Sequence, residues 1–259
     1  DRVVSWRCLA GAGAVGMESS YAKSLCPGAG AARTGRTSPG KQNGDDVRGD
    51  RESSGHIVVV RHAGIDCPMD GSRDVWYDEA MAAAEDVCTE SLGLGIPVRA
   101  YLSTSFGCPF EGAVPPSRVI ELTMRLLDFG AYEVSISDPI GIGHPRQVTD
   151  LLHELGARVP LEHIALHFHD TRGTALVNVY AALEAGVSTF DASAGGLGGC
   201  PCAPNGTGNV ATGDLAYWLH RSDIAAGLDL ALLQEAAIWV GEQLGKSVPG
   251  LLSRAGGFP

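Results

Sequence analysis

The chain has 259 residues, 44% of them hydrophobic, with 35 glycines and a formal net charge of −11. That length suffices for one large domain, and a barrel of alternating strands and helices needs ~250 residues. The acidic balance argues against a nucleic-acid partner, and no run of ~18 apolar residues is present to cross a membrane.

Seven cysteines, an odd number without a paired framework, read as free thiols in a reducing compartment. The opening Asp1-Arg-Val-Val-Ser-Trp6 lacks the charged-then-apolar layout of a signal peptide. The expected location is therefore cytoplasmic. Charge divides the chain: residues 1–76 carry 10 Lys and Arg against 9 Asp and Glu, whereas the remainder is net −12. Residues 27–55 are Gly, Ser, Arg and Asp with hardly a large apolar side chain, too little to offset ordering entropy. Residues 1–55 are accordingly expected to form an irregular segment, and 56–259 a partial barrel domain.

The one convincing early strand is His56–Arg61. A helix follows over 77–93, then a strand over Val98–Phe106. Pro115 and Pro116 open a helix reaching about Phe129, stopped by Gly130. Further strands are predicted at Tyr132–Asp138, His163–His169 and Ser188–Ser193. Helices are predicted at 145–157, 174–185 (ended by Gly186), about 211–220 and 230–245. Strands alternating with helices of this length mean a parallel sheet. Polar residues collect at the strand C-termini: Ser103, Ser105, Asp138, His167, His169 and Ser193. Parallel barrels carry their active sites on that face.

His167-Phe168-His169-Asp170 ends one strand. Alternation would aim His167 and His169 at one point and turn Phe168 away. Such a pair suits a metal, although two packed or surface histidines give the same spacing. Asn209, after the next strand, is a third candidate ligand, with a turn-and-cap role as the plainer alternative. Asp138 could orient a ligand or water, or simply cap its own loop. Two imidazoles with oxygen donors suit Mg²⁺ or Mn²⁺ better than a closed zinc site. The loop Ala194-Gly-Gly-Leu-Gly-Gly-Cys200-Pro-Cys202 reads as a mobile flap that could deliver Cys200 as an acid or base. A half zinc site would need a second Cys pair, which does not follow. His163 is expected at the barrel bottom, His144, His153 and His220 on the surface, and Cys108 in a buried turn.

Together these residues resemble hydroxymethylglutaryl-CoA lyase, of the metal-dependent lyase, aldolase and acyltransferase superfamily built on a TIM (β/α)8 barrel. The matching stretches are Phe106-Gly-Cys-Pro-Phe-Glu-Gly112, Ser137-Asp-Pro-Ile-Gly-Ile-Gly143, His167-Phe-His-Asp-Thr171, Gly196-Leu-Gly-Gly-Cys-Pro201 and Gly208-Asn-Val-Ala-Thr212. The resemblance covers about residues 77–255. The resemblance implies His167, His169 and Asn209 as metal ligands, His167 as a proton shuttle, Cys200 as the catalytic loop cysteine and Asp138 beside the metal. It implies cleavage of 3-hydroxy-3-methylglutaryl-CoA to acetoacetate and acetyl-CoA. The implied partners are an acyl-CoA substrate and, as the assembly to test, a second copy in a homodimer.

The chain departs from the pattern at its start. The family's first strand carries an Arg-Asp pair and its second an essential Glu, and neither has a matching context here. Arg73 and Asp74 fall on a fourth-strand loop instead. Smaller departures are Pro139 and His144, where the family usually has Thr. The expectation is an incomplete α/β barrel, its first strands missing or scrambled, with impaired activity. A related acyl-CoA-condensing synthase or aldolase, and a non-catalytic fragment, are the competing readings.

Overall fold

The computed structural model describes residues 5–8, 57–59, 74–109, 112–199 and 208–257. Its strands are β1 (Ser5–Cys8), β2 (Ile57–Val59), β3 (Asp74–Trp76), β4 (Arg99–Leu102), β5 (Glu133–Asp138), β6 (Ile164–Phe168) and β7 (Thr189–Ala192). The α-helices are α1 (Tyr77–Gly93), α2 (Pro116–Asp128), α3 (Pro145–Gly156), α4 (Ala175–Ala185), α5 (Thr212–Arg221), α6 (Leu230–Leu244) and α7 (Leu251–Ala255). β4 to β7 pair in chain order and in parallel, and β1 pairs in parallel with the far side of β7. β2 and β3 form a separate parallel pair. Sequential parallel order with a helix in each crossover keeps all the helices on one face. The five-stranded sheet is thus an arc of an α/β barrel, as the alternating pattern predicts.

The two faces differ chemically. Ile136 on β5, Ile164, Leu166 and Phe168 on β6, and Phe190 and Ala192 on β7 belong to the helix-side core. They pack with Val119 and Ile120 of α2, Val148, Leu151, Leu152 and Leu155 of α3, Val179 and Ala182 of α4, and Leu215 and Leu219 of α5. Strand alternation sends the intervening residues into the barrel interior. These are Arg99, Tyr101, Glu133, Ser135, Ser137, His167 and Asp191, brought side by side by the register.

Helix ends follow local chemistry. Pro116 and Pro145 begin α2 and α3, where a missing N–H costs nothing. The exposed His144 caps α3, its Nδ1 accepting from the Gln147 amide at 3.2 Å. Asp229 caps α6 through the amides of Ala231 and Leu232. Gly186 ends α4 with φ +106°, a conformation that favours glycine.

Three strand readings change. β4 stops at Leu102, because Ser103 to Phe106 turn: Thr104 has φ +57° and the Ser105 hydroxyl donates to the Leu102 carbonyl at 2.7 Å. Asp74, expected on a loop, opens β3 and is the register partner of Ile57. Ser5–Cys8 forms a strand in a segment where the sequence predicts none. It is a four-residue piece, too short to show a period.

Candidate metal and catalytic site

β6 delivers the two histidines. His167 is its fourth residue, and His169 lies just beyond, in an isolated antiparallel bridge with Asn209. The segment 208–211 runs beside the strand ends. The Gly208 carbonyl accepts from the Asp170 amide at 2.9 Å, and the Val210 amide donates to the Phe168 carbonyl at 3.0 Å. The imidazoles of His167 and His169 lie with ring centroids 5.1 Å apart, and both are buried. Both His167 nitrogens and His169 Nδ1 are buried without a hydrogen-bond partner among the described residues. Buried polar atoms are normally paired, so orphaned imidazole nitrogens of this kind fit the ligand set of a cation.

Burial, then the Arg99 charge, pushes His167 down to about 4. Burial, then His167, pushes His169 down to about 3. Both rings are therefore neutral near pH 7, the form a metal requires. Between these values and the ordinary 6.5, the unfolded chain binds protons that the folded chain does not. The stability contribution is complete above pH 6.5 and is lost as pH falls through 6.5 toward 4. Each histidine adds a slope of about 1.4 kcal/mol per pH unit in that window. Urea titrations of the ion-free chain should show the unfolding midpoint dropping between pH 7 and pH 5. The double variant H167Q/H169Q should show a shallower drop, and parallel curves would refute the assignment.

Asn209 does not cap a helix: Ala211 is the N-cap of α5. Its amide nitrogen instead donates to the Leu197 carbonyl at 2.7 Å, which leaves Oδ1 as the candidate donor atom to a cation. Gly198 has φ +103°, and a Cβ there would sit 2.4 Å from that amide nitrogen. A Cβ on Gly195, at φ +63°, would sit 2.8 Å from the Val248 Cβ. The first glycines of the loop thus permit close packing rather than mobility, and Gly195 and Gly196 are buried. Cys200 and Cys202 lie outside the described residues. Among the described residues no three His, Cys, Asp or Glu converge as a metal cluster.

Asp138 is the register partner of Phe168. Its carboxylate accepts from the Ile142 amide at 3.1 Å and the Gly143 amide at 2.7 Å. Burial pushes its pKa up, and the backbone amides of Gly143, Ile142, Gly141 and Ile140 oppose that shift. Asp138 thus braces the 139–143 loop, the capping role that the sequence offers as the plainer alternative. Gly141, at φ +59°, lets that loop pass the His169 carbonyl, which a Cβ would approach to 2.7 Å.

The remaining readings hold where they can be seen. Cys108 is buried in its turn, and His153 and His220 are exposed. His163 sits in the 3-10 turn that feeds the start of β6, its Nδ1 3.0 Å from the Tyr132 carbonyl.

Sequence reasoning missed a charged network beneath the histidines. Arg99 bonds to Glu133 and Tyr101 and forms a two-point ion pair with Asp191, at 2.9 and 3.2 Å. Burial works against the guanidinium charge, but Asp191 first, then Glu133, holds its pKa above the ordinary value. The signal was present: all three are charged residues at alternating positions inside apolar strands.

An HMGL-like family model matches residues 60–240. The chain belongs to that family. It is 48% identical over 171 residues to hydroxymethylglutaryl-CoA lyase YngG of Bacillus subtilis, covering 66% of this chain and 57% of that protein. The hydroxymethylglutaryl-CoA lyase of Pseudomonas mevalonii is 42% identical over 181 residues, 70% of this chain and 58% of that protein. The chain thus spans little more than half the length of these curated relatives. The crystal structure of the Bacillus subtilis HMG-CoA lyase superposes with a TM-score of 0.67 at 37% identity, covering 79% of this chain and 76% of that one. An Acinetobacter baumannii HMG-CoA lyase, solved with coenzyme A and 3-methylmalate, gives a TM-score of 0.67 at 34% identity, covering 70% and 59%. The family fold is the TIM barrel, and the described strands form part of it. No helix among the described residues is long and apolar enough to cross a membrane.

Proposed function

We propose that the chain carries the chemistry of a divalent-metal carbon–carbon lyase acting on 3-hydroxy-3-methylglutaryl-CoA. The observation that carries the reading is the pair of buried, neutral imidazoles at one strand end, with both His167 nitrogens and His169 Nδ1 lacking a hydrogen bond among the described residues and Asn209 bridged to the second histidine. His167 and His169 through ring nitrogens, and Asn209 through Oδ1, would hold Mg²⁺ or Mn²⁺. Bound there, the ion would polarise the substrate's hydroxyl and carbonyl oxygens as a Lewis acid. The 197–199 loop segment, anchored to Asn209, ties the ligand set to the flap that leads to Cys200. Cys200 is the proposed proton donor to the acetyl-CoA enolate, a task suited to a thiol that arrives when the site closes. The relatives named as HMG-CoA lyases, one of them solved with coenzyme A, support an acyl-CoA substrate.

The test is acetoacetate release from 3-hydroxy-3-methylglutaryl-CoA by the purified chain with Mg²⁺. Release should be ion-dependent. Release equal to that of a chelated control would set the reading aside.

A further inference from the structure

His167 is fully buried, yet neither ring nitrogen has a hydrogen-bond partner among the described residues. One anionic group faces it. Asp191 is its register partner on β7, and Asp191 Oδ2 lies 3.9 Å from His167 Nδ1. That is about 1 Å beyond a hydrogen bond, a gap that a small side-chain rotation closes. Asp191 cannot turn away. Arg99 grips it through two nitrogens, and the Ser135 hydroxyl donates to Oδ2 at 2.8 Å. The carboxylate is therefore a fixed acceptor aimed at one nitrogen of one ring.

We propose that Asp191, held by Arg99 and Ser135, is the positioning residue for His167. It selects the tautomer with the proton on Nδ1 and leaves the Nε2 lone pair for an ion. The consequence for ion binding rests on the function proposed above. The tautomer is a property of the ion-free chain.

Asp191→Asn separates this role from mere packing. Both carboxylate oxygens meet Arg99, so an amide cannot match the guanidinium in either orientation, and no anion remains beside Nδ1. Without that anion the histidine proton moves to Nε2, the tautomer a free imidazole side chain favours and the nitrogen an ion would use.

The measurement is long-range ¹H–¹⁵N correlation NMR of the ion-free, full chain labelled at histidine, with His167 assigned by its loss in H167Q. The expected wild-type ring is protonated on Nδ1, and D191N should invert the pattern. Mn²⁺ affinity should fall about 10–100-fold in D191N. A wild-type His167 protonated on Nε2 would overturn the proposal, as would an unchanged ring in D191N. The wild-type spectrum decides the matter alone if D191N does not fold. Should Mn²⁺ fail to bind the wild-type chain, the ion reading falls and the tautomer assignment is still judged by the spectrum.

Discussion

Replacing His167 with Gln is expected to weaken Mn²⁺ binding by more than about 100-fold, since loss of a group that merely orients a ligand already costs 10–100-fold. Gln keeps a polar side chain of similar reach but cannot offer a neutral imidazole nitrogen. His169→Gln should do the same, because its ring centroid lies only 5.1 Å from that of His167. Acetoacetate release should fall in step with ion binding in both variants. Folding should be largely spared near pH 7, because the native rings have no hydrogen bonds among the described residues to lose. Mn²⁺ titration followed by electron paramagnetic resonance, with a urea unfolding curve beside it, separates the two effects. Near-native ion affinity in either variant would mean that the imidazoles are packing residues and that the proposed centre lies elsewhere.

The fold was legible where pattern and punctuation agree. α1 matches the predicted span, and α2, α3, α4 and α6 lie within a residue or two of theirs. Proline openings and glycine stops define those ends locally, so no tertiary information is needed. β4 was overextended because Ser103-Thr-Ser105 carries strand-like composition, whereas its backbone turns at the barrel mouth. β1 was missed because its place depends on pairing with β7, almost the whole described chain away.

The site shows the same division. His167 and His169 are two apart on one strand, so alternation alone puts them together. Asn209 could be named from its place after the next strand, but a turn-and-cap role was the plainer alternative, since the chain between β7 and the bridge to His169 hides the contact. The two roles open to Asp138 look identical in sequence, and only the hydrogen bonds to the Ile142 and Gly143 amides reveal the loop it caps. The Arg99, Glu133 and Asp191 network was invisible as a unit, each member being on a different strand. Charged residues at interior parity in otherwise apolar strands are what would have exposed it.

That network sets the largest expected stability effect. Arg99 is one cation between two carboxylates, with the Asp191 side chain fully buried and Glu133 nearly so. Arg99→Met keeps most of the apolar stem and removes the charge. It removes the cation that both buried carboxylates share, and breaking a buried pair from one side costs roughly 3–5 kcal/mol. Urea unfolding at pH 7 should report a loss of that size. The triple variant R99M/E133Q/D191N should recover much of it, since no uncompensated charge then remains. That contrast distinguishes a charge effect from lost packing, which the triple variant would make worse. A single-variant loss under about 1 kcal/mol, the range of exposed ion pairs, would show that water reaches the interior and screens the cluster. Asp191 would then be too weakly held to fix the orientation of His167.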